Sequence, residues 1–308
     1  MNDKIFVMLP AYIDPDLAIT LTEMYTKADN PENLTVAVGT AYINPEDEPV
    51  QNVIPENQLK KLSWNAYDRP GTMKVRSLLN DFYTDEQYYL SIDSHMVFSD
   101  GWDTSLKKEL NDLSNTVDNN KVILINHIRS CRFTVLNDDT RPLFTLKGSS
   151  IALSPDIDGR FARGDFLFAG LFFTYGNFAK DVGWIKDVNM VLEEPYMSFR
   201  SYLKGWDIYH NFTQEYYTHN PDNYYLALKN QVPPIGWNDD PERYFIEVLF
   251  AMLFNDNSIF AIEDPERTPD QWWNKVGLLR EAQAYRNKFV EYDVLENIED
   301  FAKKFKLR

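Results

Sequence analysis

Short apolar runs and helical periodicity alternate through the first 125 residues of the chain. Residues 5–9 are a short apolar run of the kind found in buried parallel strands, and residues 34–38 are predicted to form a second strand. Residues 16–28 between them place apolar side chains on one helical face. Further strands are predicted at 87–92 and 121–125, and further helices at about 70–83 and 102–113. This alternation predicts an α/β fold with an open sheet, whose ligands bind beyond the carboxyl ends of the strands.

The pattern is less regular in the rest of the chain. Residues 41–68 and 126–165 are predicted to be irregular, and the apolar run at 166–175 is predicted to be a core strand. A helix after Glu193-Glu194-Pro195 and strands at 207–210 and 216–220 follow, and helices are predicted near 240–255, 270–288 and 294–306. The sequence therefore predicts an α/β domain over 1–225 and a helical C-terminal extension over 226–308.

The charge balance and the cysteine count narrow the setting of the protein. The 308-residue chain carries 47 acidic and 31 basic residues, a net charge of −16, which disfavours overall attraction to nucleic acid or an anionic membrane. Its single cysteine, Cys131, cannot form an intramolecular disulfide, which favours a reducing compartment. The sequence has no signal-peptide pattern and no apolar run of about 18 residues. We expect a cytoplasmic protein, of a cell or of a host cell, with no membrane partner.

The segment YYLSIDSHMVF, residues 88–98, carries the sharpest chemical pattern. A hydrophobic strand delivers Asp93 and His95 to its carboxyl end, where residues i and i+2 point the same way. A carboxylate oxygen and an imidazole nitrogen suit Mn²⁺ or a similar ion, with Mg²⁺ as the alternative, and such an ion neutralises a diphosphate leaving group. His219 is a late histidine of the type that completes such a metal shell. The alternative is that Asp93 caps a turn, His95 packs, and His219 lies on the surface.

Three further groups stand near predicted strand ends or helix starts. Glu193 and Glu194 either complement a helix dipole or bind an acceptor hydroxyl and steady an oxocarbenium-like centre. Tyr12 can stack on a nucleotide base and Asp14 can bind the base or ribose, unless the two form only a turn. Arg76 follows a helix start that can receive phosphate. The sequence lacks the glycine-rich motifs of P-loop and dinucleotide-binding proteins, so kinase, ATPase and NAD functions have no support.

Taken in order, these motifs resemble those of the cytosolic N-acetylglucosaminyltransferase family of the hydroxyproline-modifying type, which has the GT-A fold. PAYIDPDL is similar to its Ser/Ala-x-Tyr-Arg-Asp-Pro element, with Ile13 at the arginine, and RPGTMKVR to its G-P-x-x-A-R-like helix start. YYLSIDSHMVF is similar to Y-Y-L-Q-I-D-S-H-M-x-F and is followed by Trp102-Asp103. LEEPYMSFRSYLKGWD resembles a G-E-E element with a downstream arginine and G-Y/W-D, with Leu192 at the glycine, and His219 follows. The similarity covers about residues 1–222.

The resemblance implies a metal-dependent glycosyltransferase with a mixed central sheet flanked by helices. It implies that Asp93, His95 and His219 bind the metal and that Glu193 and Glu194 lie at the junction of sugar and acceptor. The residues expected to bind the UDP-sugar donor are Tyr12, Asp14, Gly39, Arg76, Asp93 and Ser94. Because the family retains anomeric configuration, the leaving phosphate itself can take the acceptor proton. The departures at Ile13 and Leu192 leave the donor sugar open, with N-acetylglucosamine as the default.

Two acceptors and two rival functions stay open. A locally positive segment at 127–163 suits an anionic polymer on the acceptor side; its cations are Arg129, Arg132, Arg141, Lys147, Arg160 and Arg163. The acceptor is therefore a hydroxyl of an intracellular protein, or hydroxymethylcytosine in DNA if the enzyme is encoded by a bacteriophage, with a hexose or pentose donor and a flipped-out base. The alternative for these cations is pairing with surface acids. The rival functions are a non-catalytic nucleotide-sugar-binding module and a metal-dependent hydrolase.

Overall fold

The computed structural model describes residues 3–44, 53–68, 71–125, 136–138, 141–143, 156–186, 190–213, 217–218, 241–256 and 260–292. Within these ranges, eight strands form one mixed sheet and two pairs of short strands lie outside it. The strands are β1 (Ile5–Tyr12), β2 (Leu34–Tyr42), β3 (Leu59–Asn65), β4 (Tyr88–Ile92), β5 (Met96–Val97), β6 (Val122–Ile125), β7 (Leu136–Asp138), β8 (Arg141–Leu143), β9 (Phe161–Gly164), β10 (Leu171–Tyr175), β11 (Asp207–Asn211) and β12 (Tyr217–Thr218). The α-helices are α1 (Leu17–Thr26), α2 (Thr72–Asn80), α3 (Trp102–Val117), α4 (Phe178–Asp181), α5 (Met190–Leu203), α6 (Pro241–Phe254), α7 (Pro269–Lys275) and α8 (Leu279–Tyr292).

Parallel strands bring several carboxyl ends to one edge of the main sheet. The strand order is β3-β2-β1-β4-β10-β6-β11-β9. β3, β2, β1 and β4 are parallel neighbours, β10 runs antiparallel to both β4 and β6, and β11 is parallel to β6. β9 closes the sheet as an antiparallel edge strand. The predicted α/β class with a mixed central sheet is confirmed, and β1, β4, β6 and β11 end on the same side.

Helices cover both faces of this sheet. Tyr88 and Tyr89 are successive residues of β4, so their side chains face opposite sides. Asn111 of α3 donates to the Tyr88 hydroxyl at 3.2 Å, whereas the Tyr89 hydroxyl donates to Asn80 of α2 at 3.0 Å. α2 and α3 therefore lie on opposite faces, and the apolar side chains of β1 and β4 are buried between them.

Two of the C-terminal helices, α6 and α7, pack against α5, and α8 packs against α6 and α7. Trp272 and Trp273 of α7 are fully buried, and the ring centroids of Phe199 and Trp272 lie 5.3 Å apart. The boundary predicted at 225/226 lies outside the described residues and stays a prediction, as does the helix predicted at 294–306. No helix in the described ranges has the length and apolar character needed to cross a bilayer.

Several elements differ from the sequence prediction. β7, β8 and β9 lie within 126–165, predicted to be irregular, and β9 is an edge strand of the main sheet. β3 lies within 41–68, predicted to be irregular, because it is an edge strand with mostly exposed side chains and so lacks an apolar signal. The strand predicted over 166–175 begins only at Leu171, because the Leu171 amide closes a turn onto the Phe168 carbonyl at 3.2 Å. α5 is described from Met190, so Pro195 lies inside it and not in its first turn. Gly277, with a φ of 74°, divides the helix predicted over 270–288 into α7 and α8.

Candidate active site

The turn that follows β4 is fixed by contacts from two distant segments. The Asp93 amide donates to the Gly170 carbonyl at 2.9 Å. On the other side of the turn, the Thr20 hydroxyl of α1 donates to the Ser94 carbonyl at 2.8 Å and accepts from the Met96 amide at 2.9 Å. The residues between β4 and β5 are therefore held at both ends by parts of the chain that lie far away in sequence.

Asp93 and His95 face each other across this turn. His95 Nε2 lies 4.0 Å from Asp93 Oδ2. The Asp93 side chain is 28% exposed and the His95 side chain is 24% exposed, so both are largely enclosed and yet accessible. An oxygen and an imidazole nitrogen this close can approach one divalent cation, which is the arrangement expected from the i, i+2 spacing.

Asp14, in the turn between β1 and α1, contacts Ser94 and His95 of the turn after β4. Its Oδ2 accepts a hydrogen bond from the Ser94 hydroxyl and lies 2.9 Å from His95 Nδ1, and its Oδ1 accepts from the Asp16 amide at 3.0 Å. Burial raises the pKa of Asp14, but its hydrogen bonds with His95, Ser94 and the Asp16 amide outweigh burial and hold the pKa below its usual value. The hydrogen bond with Asp14 likewise raises the pKa of His95 against the effect of burial. Direct donor binding by Asp14 and Ser94 stays a prediction.

Arg76 lies beneath the turn as a buried cation. Its guanidinium donates to the Ser91 hydroxyl at 2.6 Å and to Asp93 Oδ1 at 3.4 Å, and the Trp184 ring lies 5.1 Å from its Cζ. The side chain is only 3% exposed. The predicted contact of Arg76 with the donor phosphate stays a prediction, and the observed contacts join α2 to β4 and restrain the Asp93 carboxylate.

Glu193 and Glu194 have different surroundings. Glu193 is buried, and its Oε1 lies 2.8 Å from Arg76 Nε, although these two atoms are not aligned for a hydrogen bond. Burial raises the pKa of Glu193 to about 7 despite the opposing charge of Arg76. Glu194 is less buried, and its Oε1 accepts from the Ala169 amide at 3.3 Å. Of the two glutamates predicted at the sugar–acceptor junction, only Glu194 keeps partial exposure.

Tyr12 is the last residue of β1, whereas Gly39 lies inside β2, which continues to Tyr42 beyond the end predicted at residue 38. Tyr12 is partly buried, and its hydroxyl donates to the Ala66 carbonyl at 3.2 Å. Gly39 is buried under α2, where a Cβ would lie 2.6 Å from Val75 Cγ1. The structure thus gives Gly39 a packing contact with α2, and its predicted part in donor binding, like that of Tyr12, stays a prediction.

The residues present fit a divalent cation in their chemistry. Asp93 and His95 offer a carboxylate oxygen and a ring nitrogen, and the other ring nitrogen of His95 faces a carboxylate, as in most metal-binding histidines. His219 lies outside the described residues; its neighbour Thr218 pairs with Met96 in the antiparallel β12–β5 ladder. Among the described residues, no group of three or more histidine, cysteine, aspartate or glutamate side chains could hold a metal.

Two residues that the sequence analysis does not single out also shape this site. A Cβ on Gly170 would lie 2.3 Å from Asp93 Oδ2, so only glycine leaves room for this carboxylate. The Ser91 hydroxyl donates to the Ala169 carbonyl at 2.8 Å and accepts from Arg76. The one signal in the sequence is a lone glycine within an apolar run, which often marks a close approach of the backbone to another group.

The basic segment at 127–163 is described only in part. Arg160 pairs with Asp112 at 2.8 Å and with Asp158 at 2.5 Å, which is the surface pairing given above as the alternative to an acceptor site. Arg129, Arg132 and Lys147 lie outside the described residues.

Comparisons with known proteins point to one class of enzyme. A family model described as Glycosyltransferase (GlcNAc) matches residues 51–224, which is more than half of the 308-residue chain. No curated protein matches the sequence. The crystal structure of GalNAc-T7 with UDP, GalNAc and Mn²⁺ superposes with a TM-score of 0.54 and 11% identity, over 98% of this chain and 58% of that one. The chain thus spans little more than half the length of GalNAc-T7, and the likeness agrees with the predicted GT-A fold.

Another solved structure is more distant in its superposition. TarS 1–349 from S. aureus in complex with UDP-GlcNAc gives a TM-score of 0.48 and 13% identity, over 91% of this chain and 72% of that one.

Proposed function

Because the chain belongs to the glycosyltransferase (GlcNAc) family, we propose that it is a metal-dependent, retaining enzyme that transfers a sugar from a UDP-sugar to a hydroxyl group of a macromolecule. The observation that carries the proposal is the pair formed by Asp93 and His95, whose Oδ2 and Nε2 atoms lie 4.0 Å apart at the carboxyl end of β4. Ligands of open α/β sheets bind at this edge. GalNAc-T7, which shares the fold, was crystallised with UDP and Mn²⁺, and we extend this class of donor and cation to the present chain as part of the proposal.

In the proposed mechanism, Asp93 and His95 would hold the cation, and His219 is the residue proposed to complete its ligands. When bound, the cation supplies charge neutralisation for the departing diphosphate. Arg76 keeps the Asp93 carboxylate in place through its hydrogen bond at 3.4 Å, and we place the nucleotide at the carboxyl end of β1, beside Tyr12 and with Gly39 in the neighbouring strand β2. Retention with attack on the same face lets a phosphate oxygen of the donor take the acceptor proton, so the chain need not supply a base.

The two glutamates receive separate roles in this proposal. We assign Glu194 to the junction of sugar and acceptor, because it is the more exposed of the two and lies beside Ala169, which precedes the Gly170 carbonyl that fixes Asp93. Glu193 is buried 2.8 Å from Arg76, and we assign it the role of a counter-charge that holds the guanidinium in place. Substituting Glu194 should therefore reduce transfer, whereas substituting Glu193 should also reduce stability.

The test is UDP release from UDP-sugars in the presence of Mn²⁺, compared with the same reaction in excess EDTA. Asp93→Ala and His95→Ala should abolish release and weaken Mn²⁺ binding, whereas the exposed Asp100→Ala should behave as the wild type. Unchanged turnover in both site variants would refute the assignment. Donor binding without any UDP release would instead indicate a non-catalytic nucleotide-sugar-binding module, and free sugar without a labelled acceptor would indicate a hydrolase.

The acceptor is resolved by a second arm of the same experiment. We propose a hydroxyl of an intracellular protein, as in the hydroxyproline-modifying enzymes that the motifs resemble. The enzyme is incubated with labelled UDP-sugars and either a cell extract or DNA containing hydroxymethylcytosine, and the products are analysed by mass spectrometry. Label on protein supports this acceptor, whereas a mass gain on the modified cytosine supports a DNA-modifying enzyme of bacteriophage type.

A further inference from the structure

Asp14 presents both of its carboxylate oxygens to groups of the candidate site. Oδ1 accepts the Asp16 amide, and Oδ2 lies between the Ser94 hydroxyl and His95 Nδ1. The residue is only 2% exposed, so a ribose or base can reach this carboxylate only by displacing one of these groups. We propose that Asp14 is a positioning residue, which holds His95 in the tautomer protonated at Nδ1 and so leaves Nε2 as the ligand atom for a divalent cation. The inference depends on the proposed function in one respect only, namely that His95 binds a divalent cation.

The backbone fixes where the Asp14 carboxylate lies. Ile13, which precedes it, has a φ of 49°, a left-handed conformation that is unusual for a β-branched residue, and its side chain is buried. The Ile13 amide donates to the Ala41 carbonyl at 2.9 Å, and the Tyr42 hydroxyl donates to the Asp14 carbonyl at 2.7 Å. β2 thus holds residues 13 and 14 from one side, and the unusual turn at Ile13 directs the carboxylate towards the residues after β4.

The hydrogen-bonding capacity of the groups determines the tautomer. An ionised carboxylate can only accept, and a neutral imidazole has one donor nitrogen and one acceptor nitrogen. His95 Nδ1, at 2.9 Å from Asp14 Oδ2, must therefore carry the proton, and Nε2 keeps the lone pair. Nε2 is also the nitrogen that faces Asp93 Oδ2. The nitrogen available to a cation is thus the one beside the second predicted ligand.

Asp14→Asn reverses this arrangement without changing the shape of the side chain. The Asp16 backbone amide can only donate, so the amide oxygen of Asn at position 14 takes the place of Oδ1. The amide nitrogen then takes the place of Oδ2 and donates to His95 Nδ1, which must become the acceptor. The proton of His95 moves to Nε2, and the lone pair that a cation requires is lost.

The tautomer of His95 can be read in the metal-free, full-length protein by ¹⁵N NMR of the imidazole nitrogens at alkaline pH, where the ring is neutral. The wild type should show a protonated Nδ1, and Asp14→Asn should show a protonated Nε2. Mn²⁺ titration followed by electron paramagnetic resonance should show affinity about 10–100-fold weaker in Asp14→Asn, the usual effect of removing the partner of a metal-binding histidine. Asp16→Asn is the matched control, because it removes an equal charge near His95 and leaves both Asp14 oxygens with their partners.

Four outcomes decide the inference. A protonated Nε2 in the wild type overturns it without any variant, so it stays testable even if Asp14→Asn folds poorly. Retention of the Nδ1 proton and of Mn²⁺ affinity in Asp14→Asn, or equal loss of affinity in Asp16→Asn, also overturns it. A fourth outcome separates the inference from the proposed function. If the tautomers are as expected but Asp93→Ala does not weaken Mn²⁺ binding, the proposed cation site is refuted, and the positioning of His95 by Asp14 still holds.

Discussion

Gly170→Ala is a small change that should strongly reduce the proposed activity. A Cβ at this position would lie 2.3 Å from Asp93 Oδ2 and 2.7 Å from Phe168 Cζ, whereas ordinary van der Waals contacts begin at 3.4 Å. Relief of the first contact requires Oδ2 to move by 3.4 − 2.3, or about 1.1 Å. The backbone of Gly170 does not have a positive φ, so alanine brings no conformational strain of its own. The perturbation therefore falls on the carboxylate and on one ring, and the hydrogen bond from the Asp93 amide to residue 170 is retained.

A displacement of about 1 Å in a catalytic group can reduce a rate about 100-fold. We expect Gly170→Ala to reduce kcat/KM for UDP release by about that factor and to raise the Mn²⁺ concentration needed for half-maximal rate. Gly164→Ala is the matched control: its Cβ would lie 3.1 Å from Ile208 Cγ2 and 3.3 Å from the His210 ring, with no contact to Asp93. Thermal unfolding of both variants separates loss of the site from loss of the fold.

One result would refute this reasoning. If Gly170→Ala keeps kcat/KM within about threefold of the wild type while Asp93→Ala is inactive, the carboxylate does not need the position that the glycine allows. Equal losses in Gly170→Ala and Gly164→Ala would show a general effect on folding and no specific effect on Asp93.

Two further predictions concern stability. Arg76→Gln should lower the free energy of unfolding by about 3–5 kcal/mol in urea titrations above neutral pH, where Glu193, whose pKa is raised to about 7, is ionised in the wild type and loses its counter-charge in the variant; the exposed Lys74→Gln on the same helix should change it little. Burial lowers the pKa of His210 from 6.5 to about 4, so the unfolded chain takes up a proton on this residue at a higher pH than the folded chain does. As the pH falls from 6.5 to about 4, the free energy of unfolding should therefore decrease by on the order of 3 kcal/mol. His210→Gln should reduce this loss between neutral and acidic pH, and an equally steep loss in the variant would contradict the prediction.

The core of the fold could be predicted from the sequence because its strands are buried on both faces. β1 and β4 are buried segments in which apolar and aromatic residues predominate, and they carry that signal whatever surrounds them. β3 could not be found in this way, because an edge strand exposes most of its side chains and its pairing with β2 leaves no apolar pattern. The pairing of β3 with β2 depends on both segments, so it cannot be predicted from the pattern of apolar residues along β3 alone.

The same distinction explains which parts of the site could be predicted. The proximity of Asp93 and His95 follows from local geometry, since two residues at i and i+2 after a strand face the same way. The surroundings that give this pair a defined geometry come from residues 14, 76 and 170, which lie in the turn after β1, in α2 and in the turn before β10. The left-handed conformation of Ile13 brings the Asp14 carboxylate to His95. The role of Gly170 becomes visible only in the structure, where a Cβ at this position would collide with Asp93 Oδ2. Asp14 restrains His95, whereas Arg76 and Gly170 restrain Asp93. Substitution of any one of these three residues should therefore displace one ligand atom and leave the other in place. Pairs of variants acting on the same ligand should therefore be less than additive, and pairs acting on different ligands close to additive in their effect on cation affinity.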